Sequence, residues 1–322
     1  MISNLMGDKE ALIGLLRIVV RAVSVPESLH IKLVTQLDFI PKLLNILNIN
    51  DDDISKEVVL ILINLAACDS NCAELMTKMN GHKKLIELID SSNISLVERC
   101  LWVLGNIAGD KASLREVLLQ SELPLKLSNV LAKEIPLSLR RMGCWLASHL
   151  CHDNLNPNRT KLMIEPLNKC LYQSDIQVQS ETLWAISKII QDKFLRTEVA
   201  NKINVGKVLE LMLSESADIS IPATYIIGCI CAGNYTCTSL VVETGGMKYI
   251  CSLFKNPSVS YFITKYTSWT IANLSLSSVS HLNLLLDYGI LKRVVEIIIF
   301  SPEHSVFLYF LSFSCKLKLV GF

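Results

Sequence analysis

The chain has 322 residues, 51% of them hydrophobic and 19% charged. Its 31 basic residues balance 30 acidic ones for a net charge of +1, which argues against the broad basic footprint of a nucleic-acid binder. Mean hydropathy is +0.40, yet polar residues interrupt the apolar ones throughout, so no clear stretch of ~20 apolar residues suits a membrane span.

The N-terminus, Met1 to Asp8, has no charged region followed by a cleavable apolar stretch, so no secretory signal is expected. Asp51-Asp52-Asp53 is expected in an exposed loop that opens a helix at Ile54, where carboxylates favour the positive helix end. From there one pattern recurs: an apolar stretch with a large anchor, then a small-polar-apolar group, then a break. It reads Leu60-Ile-Leu-Ile-Asn64, Trp102-Val-Leu-Gly-Asn106, Trp145-Leu-Ala-Ser-His149, Trp184-Ala-Ile-Ser-Lys188, Tyr225-Ile-Ile-Gly-Cys229 and Trp269-Thr-Ile-Ala-Asn273. Successive anchors lie 42, 43, 39, 41 and 44 residues apart, and all four tryptophans fall in the register.

Between anchors the pattern is helical. Leu114 to Gln120 is apolar at helical spacing; Glu122-Leu-Pro124 breaks it, with Pro124 able to sit in a first turn. Leu125 to Lys133 forms a second helix, and Pro136 opens a third that carries Trp145. Further on, Leu240 to Thr244 ends at Gly245-Gly246, Met247 to Phe254 follows, and Asn256-Pro257 precedes Ile263 to Leu274 with Trp269. Short, long and long helices with Gly or Pro at the joints, at a period in the ~40–47 residue range, predict an all-α, right-handed armadillo-repeat superhelical solenoid. Such units bury their apolar faces by stacking. Residues 1–300 are expected to form about seven repeats, and 301–322 an atypical apolar tail. That tail, within Val294 to Phe322, is the nearest approach to a membrane span, but Pro302, Glu303 and His304 interrupt it.

Residues at i and i+4 share a helix face, so Trp102 and Asn106 point together, as do Trp269 and Asn273. A lone tryptophan at helical spacing is most simply a core residue. Trp–Asn twice in one register, and Trp-polar in four of the six repeats, instead points to a peptide groove. An Asn amide both donates and accepts, so it can hold a ligand's main chain extended. Tryptophan faces attract ammonium or guanidinium groups, for about 0.5–2 kcal/mol each. Asp110, one turn beyond Asn106, would add a carboxylate for lysine.

The eleven cysteines show no framework spacing and no CxxC, which predicts reduced, buried thiols in a cytosolic or nuclear protein. No catalytic constellation, cofactor motif or metal site is expected. In His149-Leu-Cys151-His152 the two histidines would share a helix face while Cys151 points away into the core, so the three do not converge. Gly105 to Gly109 lacks the lysine and the preceding strand of a phosphate loop, and Gly228, Gly233, Gly245 and Gly246 read as turn or close-packing glycines.

Leu101-Trp-Val-Leu-Gly-Asn-Ile-Ala-Gly-Asp110 resembles the third-repeat signature of the importin-alpha (karyopherin-alpha) family. Cys144-Trp-Leu-Ala-Ser-His-Leu-Cys151 with Asn154-Leu-Asn-Pro157 resembles its fourth repeat, Leu183-Trp-Ala-Ile-Ser187 its fifth, and Ser268-Trp-Thr-Ile-Ala-Asn-Leu274 its seventh. The resemblance runs from about Ile18 to Glu296. It implies a cytoplasmic and nuclear adaptor that binds Lys/Arg-rich nuclear localisation signals of cargo proteins for import, with no nucleic acid, membrane, metal or cofactor. By position, the main signal site would use Asn64, Trp102, Asn106, Asp110 and Trp145, with His149 in the groove. A minor site would use Trp269 and Asn273, and Glu181, three before Trp184, matches an acidic groove position.

The departures from the family are specific. Leu60 stands for a Trp, His149 and Cys229 for Asn, Lys188 for a usual Tyr, and Tyr266 for a Glu. The chain is expected to begin in the first repeat, without the basic importin-beta-binding segment, and hence not to recruit importin-beta by that route. The last repeats, which bind the export factor in the family, are likewise expected to be missing. A second reading, an armadillo scaffold that binds a different partner and has lost signal binding, follows from the substituted groove positions.

Overall fold

The computed structural model describes residues 8–24, 38–68, 70–154 and 156–300. Among the described residues twenty α-helices follow one another, with no strand. The chain divides into two compact units, residues 1–166 and 167–322. The first holds α1 (Lys9–Val23), α2 (Phe39–Ile46), α3 (Asp52–Cys68), α4 (Ser70–Lys78), α5 (Gly81–Leu88), α6 (Ile94–Asp110), α7 (Ala112–Gln120), α8 (Leu123–Ala132), α9 (Leu137–Leu150), α10 (Pro157–Thr160) and the start of α11 (Ile164–Cys170). The second continues with α12 (Ile176–Ile189), α13 (Arg196–Lys202), α14 (Val205–Leu211), α15 (Ala217–Cys231), α16 (Tyr235–Glu243), α17 (Gly246–Lys255), α18 (Tyr261–Ser277), α19 (Val279–Asp287) and α20 (Leu291–Phe300).

Two shorter helices and one longer helix alternate in both units, the three-helix armadillo order. Local chemistry sets the joints. Several long helices start at a side-chain cap: Asp8 accepts from the Ala11 N–H, Asn93 from Leu96, Asp175 from Val178 and Ser260 from Ile263. Pro136 stands immediately before α9, and Pro124 lies in the first turn of α8, where its missing N–H costs nothing. The corners between the two shorter helices turn through left-handed residues. Asn80 (φ 59°) opens α5, Gly245 (φ 83°) opens α17, and Gly289 (φ 71°) precedes α20.

Three expectations need correction. The Asp51–Asp53 run is not a loop: α3 begins at Asp52, and Asp51 caps it by accepting from the N–H groups of Asp53 and Ile54. Asp51 and Asp53 also pair with Lys9 of α1. The helix around Leu240 to Thr244 starts earlier, at Tyr235, because Asn234 caps it through the Cys237 N–H. His152 does not share a helix face with His149. α9 ends at Leu150, and Asp153 (φ 61°) bends the chain out of helical geometry.

In unit 1 each long helix packs on the next, α1 on α3, α3 on α6 and α6 on α9, through fully buried Leu62, Leu65, Leu101, Leu104, Leu146 and Leu150. In unit 2, α12 packs on α15 and α15 on α18, with Leu183, Ile186, Ile226, Ile230, Ile271 and Leu274 inside. Each such side chain contributes roughly 1.5–3 kcal/mol on burial. None of the ten described cysteines is in a disulfide, and all but Cys68 are buried. No helix among the described residues is long and apolar enough to cross a membrane. The tail 301–322 lies outside the described residues.

Candidate functional site

On α6 of unit 1, four residues stand at successive i+4 positions: Glu98, Trp102, Asn106 and Asp110. Trp102 is 44% exposed despite its size. The carboxylates at the two ends are oriented by hydroxyls from neighbouring helices. Ser70 at the start of α4 donates to Asp110 at 2.6 Å, and Ser138 at the start of α9 donates to Glu98. Glu98 was not among the residues expected from sequence, although its spacing four before Trp102 carried the signal.

Asn106 is half-buried, and its Nδ2 donates to the Ile63 carbonyl of α3 at 3.3 Å. One amide hydrogen is thus spent inside the fold, which leaves the other hydrogen and the carbonyl oxygen for a ligand. Asn64 on α3 behaves alike: its Nδ2 donates at 3.2 Å to the hydroxyl of Ser24, the residue after α1. Ser24 stands 40 residues before Asn64, in the same register one repeat earlier.

On α9, the six-membered ring of Trp145 packs against α6 at Gly105. A Cβ built there would come within 2.1 Å of the indole. His149 meets Trp145 edge-on, ring centroids 4.7 Å apart, and sits over Gly109. Burial lowers the His149 pKa, helped by the charges of His152 and Arg115. The imidazole is therefore held toward its neutral form, with one donor and one acceptor, as the Asn expected there would have. Cys151 is fully buried, and burial pushes its thiol up. Among the described residues no cluster of three His, Cys, Asp or Glu could hold a metal. The structure thus gathers Asn64, Trp102, Asn106, Asp110, Trp145 and His149 on three consecutive long helices.

In unit 2 the expected residues are farther apart and more heavily engaged. Glu181 and Trp184 are on α12, Trp269 and Asn273 on α18, with α15 packed between these helices. Trp184 is 36% exposed, and Lys188 places its Nζ 5.9 Å from the ring centroid. Glu181 is half-buried and has a partner of its own. Trp269 rests on Gly228, as Trp145 does on Gly105, and stacks on Tyr225 with centroids 6.0 Å apart. Tyr225 also meets Tyr266 edge-on at 5.0 Å, so aromatic rings stand where an acidic group was expected. Cys229 is 1% exposed, and burial pushes its thiol up to about 11. It takes no place in an amide ladder. Asn273 is half-buried, and its Nδ2 has no hydrogen-bond partner.

No family model matches the chain. In sequence it is similar to importin subunit alpha-1b of Oryza sativa subsp. japonica, 24% identical over 254 residues, 78% of this chain and 47% of the relative. Importin subunit alpha-1a of the same species is 23% identical over 280 residues, 86% and 53% of the two chains. Importin subunit alpha-2 of Caenorhabditis elegans is 22% identical over 236 residues, 71% and 44%. The chain therefore spans about half the length of the curated relatives it matches. Among solved structures, an engineered protein superposes with TM-score 0.87 at 18% identity, over 97% of this chain and 76% of that one. A designed armadillo repeat protein gives 0.50 at 16% identity, over 85% and 97%.

Fold and repeat geometry define an all-α armadillo-repeat protein. Within that class the chain is a divergent, importin-alpha-like one.

Proposed function

We propose that the chain is a non-enzymatic, importin-alpha-like adaptor that holds lysine- or arginine-rich segments of cargo proteins on the long-helix face of unit 1, for import into the nucleus, moving between cytoplasm and nucleus. The observation that carries this reading is the α6 stripe: an exposed indole and a half-used amide bracketed by two hydroxyl-oriented carboxylates. Such a stripe suits an extended cationic chain. The amide takes the ligand's main chain, the indole face takes an aliphatic stem or its cation, and the carboxylates favour positive charge.

Titration of a labelled lysine-rich peptide against the chain tests it. The wild type is expected to bind, with affinity falling as salt rises. Asn106→Ala is expected to weaken binding about 5- to 30-fold, the ~1–2 kcal/mol of one or two hydrogen bonds. Equal affinity for the two proteins, or preference for a neutral peptide, would favour the alternative, a scaffold for a different partner. The substitutions in unit 2, with Lys188, Cys229 and Tyr266 on its long helices, support that alternative for unit 2 alone.

A further inference from the structure

One register position, four residues after each anchor tryptophan, differs along the chain. It is Asn106 after Trp102, Asn273 after Trp269, His149 after Trp145, and Lys188 after Trp184. Only the last carries a full charge at neutral pH, and its side chain lies over its own tryptophan. The Lys188 Nζ stands 5.9 Å from the Trp184 ring centroid, within the ≈ 6 Å range where the ring quadrupole holds a cation. Both side chains are partly exposed, so the contact sits at the surface where a ligand would arrive. Among the described residues Lys188 makes no ion pair with a carboxylate, and the ring face is the partner on which it rests.

We propose that Lys188 is a built-in occupant of the Trp184 slot and sets the specificity of the α12 face against lysine and arginine. An incoming ammonium would have to displace Lys188 from the ring and also sit beside its charge. Both effects act in the same direction. The α12 face then contributes shape and apolar area but no cation recognition, unlike the α6 stripe. This inference rests on the basic-peptide reading of unit 1, and its test separates the two.

The test compares the wild type with Lys188→Gln, Trp184→Ala and the double variant, using the same labelled lysine-rich peptide at one ionic strength. Lys188→Gln is expected to tighten binding about 2- to 30-fold, the fold-change that corresponds to ~0.5–2 kcal/mol for one cation–π contact. Trp184→Ala alone is expected to change affinity less than about 2-fold, and the double variant to lose the gain. A Lys188→Gln protein that binds like the wild type overturns the proposal. So does a gain that survives Trp184→Ala, because the effect would then be bulk charge rather than the slot. If no variant binds the peptide, the unit 1 reading fails, and Lys188 is judged alone. Reductive 13C-methylation of the lysines should then show a dimethyl signal moved upfield by a ring current that returns to the common position in Trp184→Ala, while those of Lys193 over Phe194 and Lys265 over Tyr261 stay unchanged. Absence of that signal overturns the occupancy.

Discussion

Replacing Gly105 with alanine should cost the protein up to about 2 kcal/mol and cripple peptide binding, although alanine is the better helix former. A Cβ at this position would fall 2.1, 2.7 and 2.8 Å from three atoms of the Trp145 ring. The indole cannot yield by swinging a flexible tip. It is half-buried against α6 and edge-on to His149, so it must move as a plate and take the α6–α9 contact with it. Overpacking of this kind costs about 1–3 kcal/mol, opposed by ~1 kcal/mol of helix propensity. Gly14 provides the control. It lies on α1 with nothing within 4 Å of its would-be Cβ, so Gly14→Ala should stabilise by about 0.5–1 kcal/mol. Urea unfolding of the two variants checks the pair. A Gly105→Ala protein as stable as Gly14→Ala would mean that Trp145 does not lie where described.

Arg115→Ala should be comparably damaging, by about 1–3 kcal/mol. The Arg115 side chain is 8% exposed and leaves α7 to tie two neighbours together. Its guanidinium donates to the Ala108 carbonyl near the end of α6 at 2.7 Å, and pairs with Asp153 just beyond α9. Truncation leaves that carbonyl without this donor and the carboxylate with His152 alone. The hydrogen bond from His152 is the leading cause that holds the Asp153 pKa low, so the carboxylate stays charged without its arginine. Lysine should not rescue, because one ammonium cannot reproduce the guanidinium fork. The substitution should also raise the His149 pKa, since the Arg115 charge is among the causes that lower it. Unfolding together with an imidazole titration by NMR reads both effects. A loss below about 0.5 kcal/mol would show that the tie is not structural.

The repeat was legible because its marks are chemically hard to replace. Four tryptophans fall in one register, prolines stand at helix starts, and Gly245 turns a corner that needs positive φ. The helix carrying Trp145 could be placed to within a residue from Pro136 alone. Legibility failed where a side chain competes for a backbone role. Asp51 accepts two N–H groups and so turns an acidic run from loop into helix start. His152 leaves the helix because Asp153 takes a left-handed conformation that asparagine and aspartate tolerate.

At the site, the i+4 spacing exposed Trp102, Asn106 and Asp110 as one face, and the same count should have added Glu98. Spacing could not show that Asn106 spends one hydrogen on Ile63, because that partner sits 43 residues away. Nor could it show that Gly105 and Gly228 serve as seats for the next repeat's tryptophan. Lys188 was legible as a departure from the family's usual Tyr. Its position over Trp184 depends on a side-chain direction that composition does not encode.

The chain's four tryptophans make one direct measurement possible: the four indole N–H signals of 15N-labelled protein, assigned by single substitutions and followed while a lysine-rich peptide is added. The Trp102 and Trp145 signals should move together and saturate, while Trp184, faced by Lys188, stays in place. Saturable movement of Trp184 or Trp269 with Trp102 unmoved, or no movement at all, would contradict a cation-reading face on unit 1.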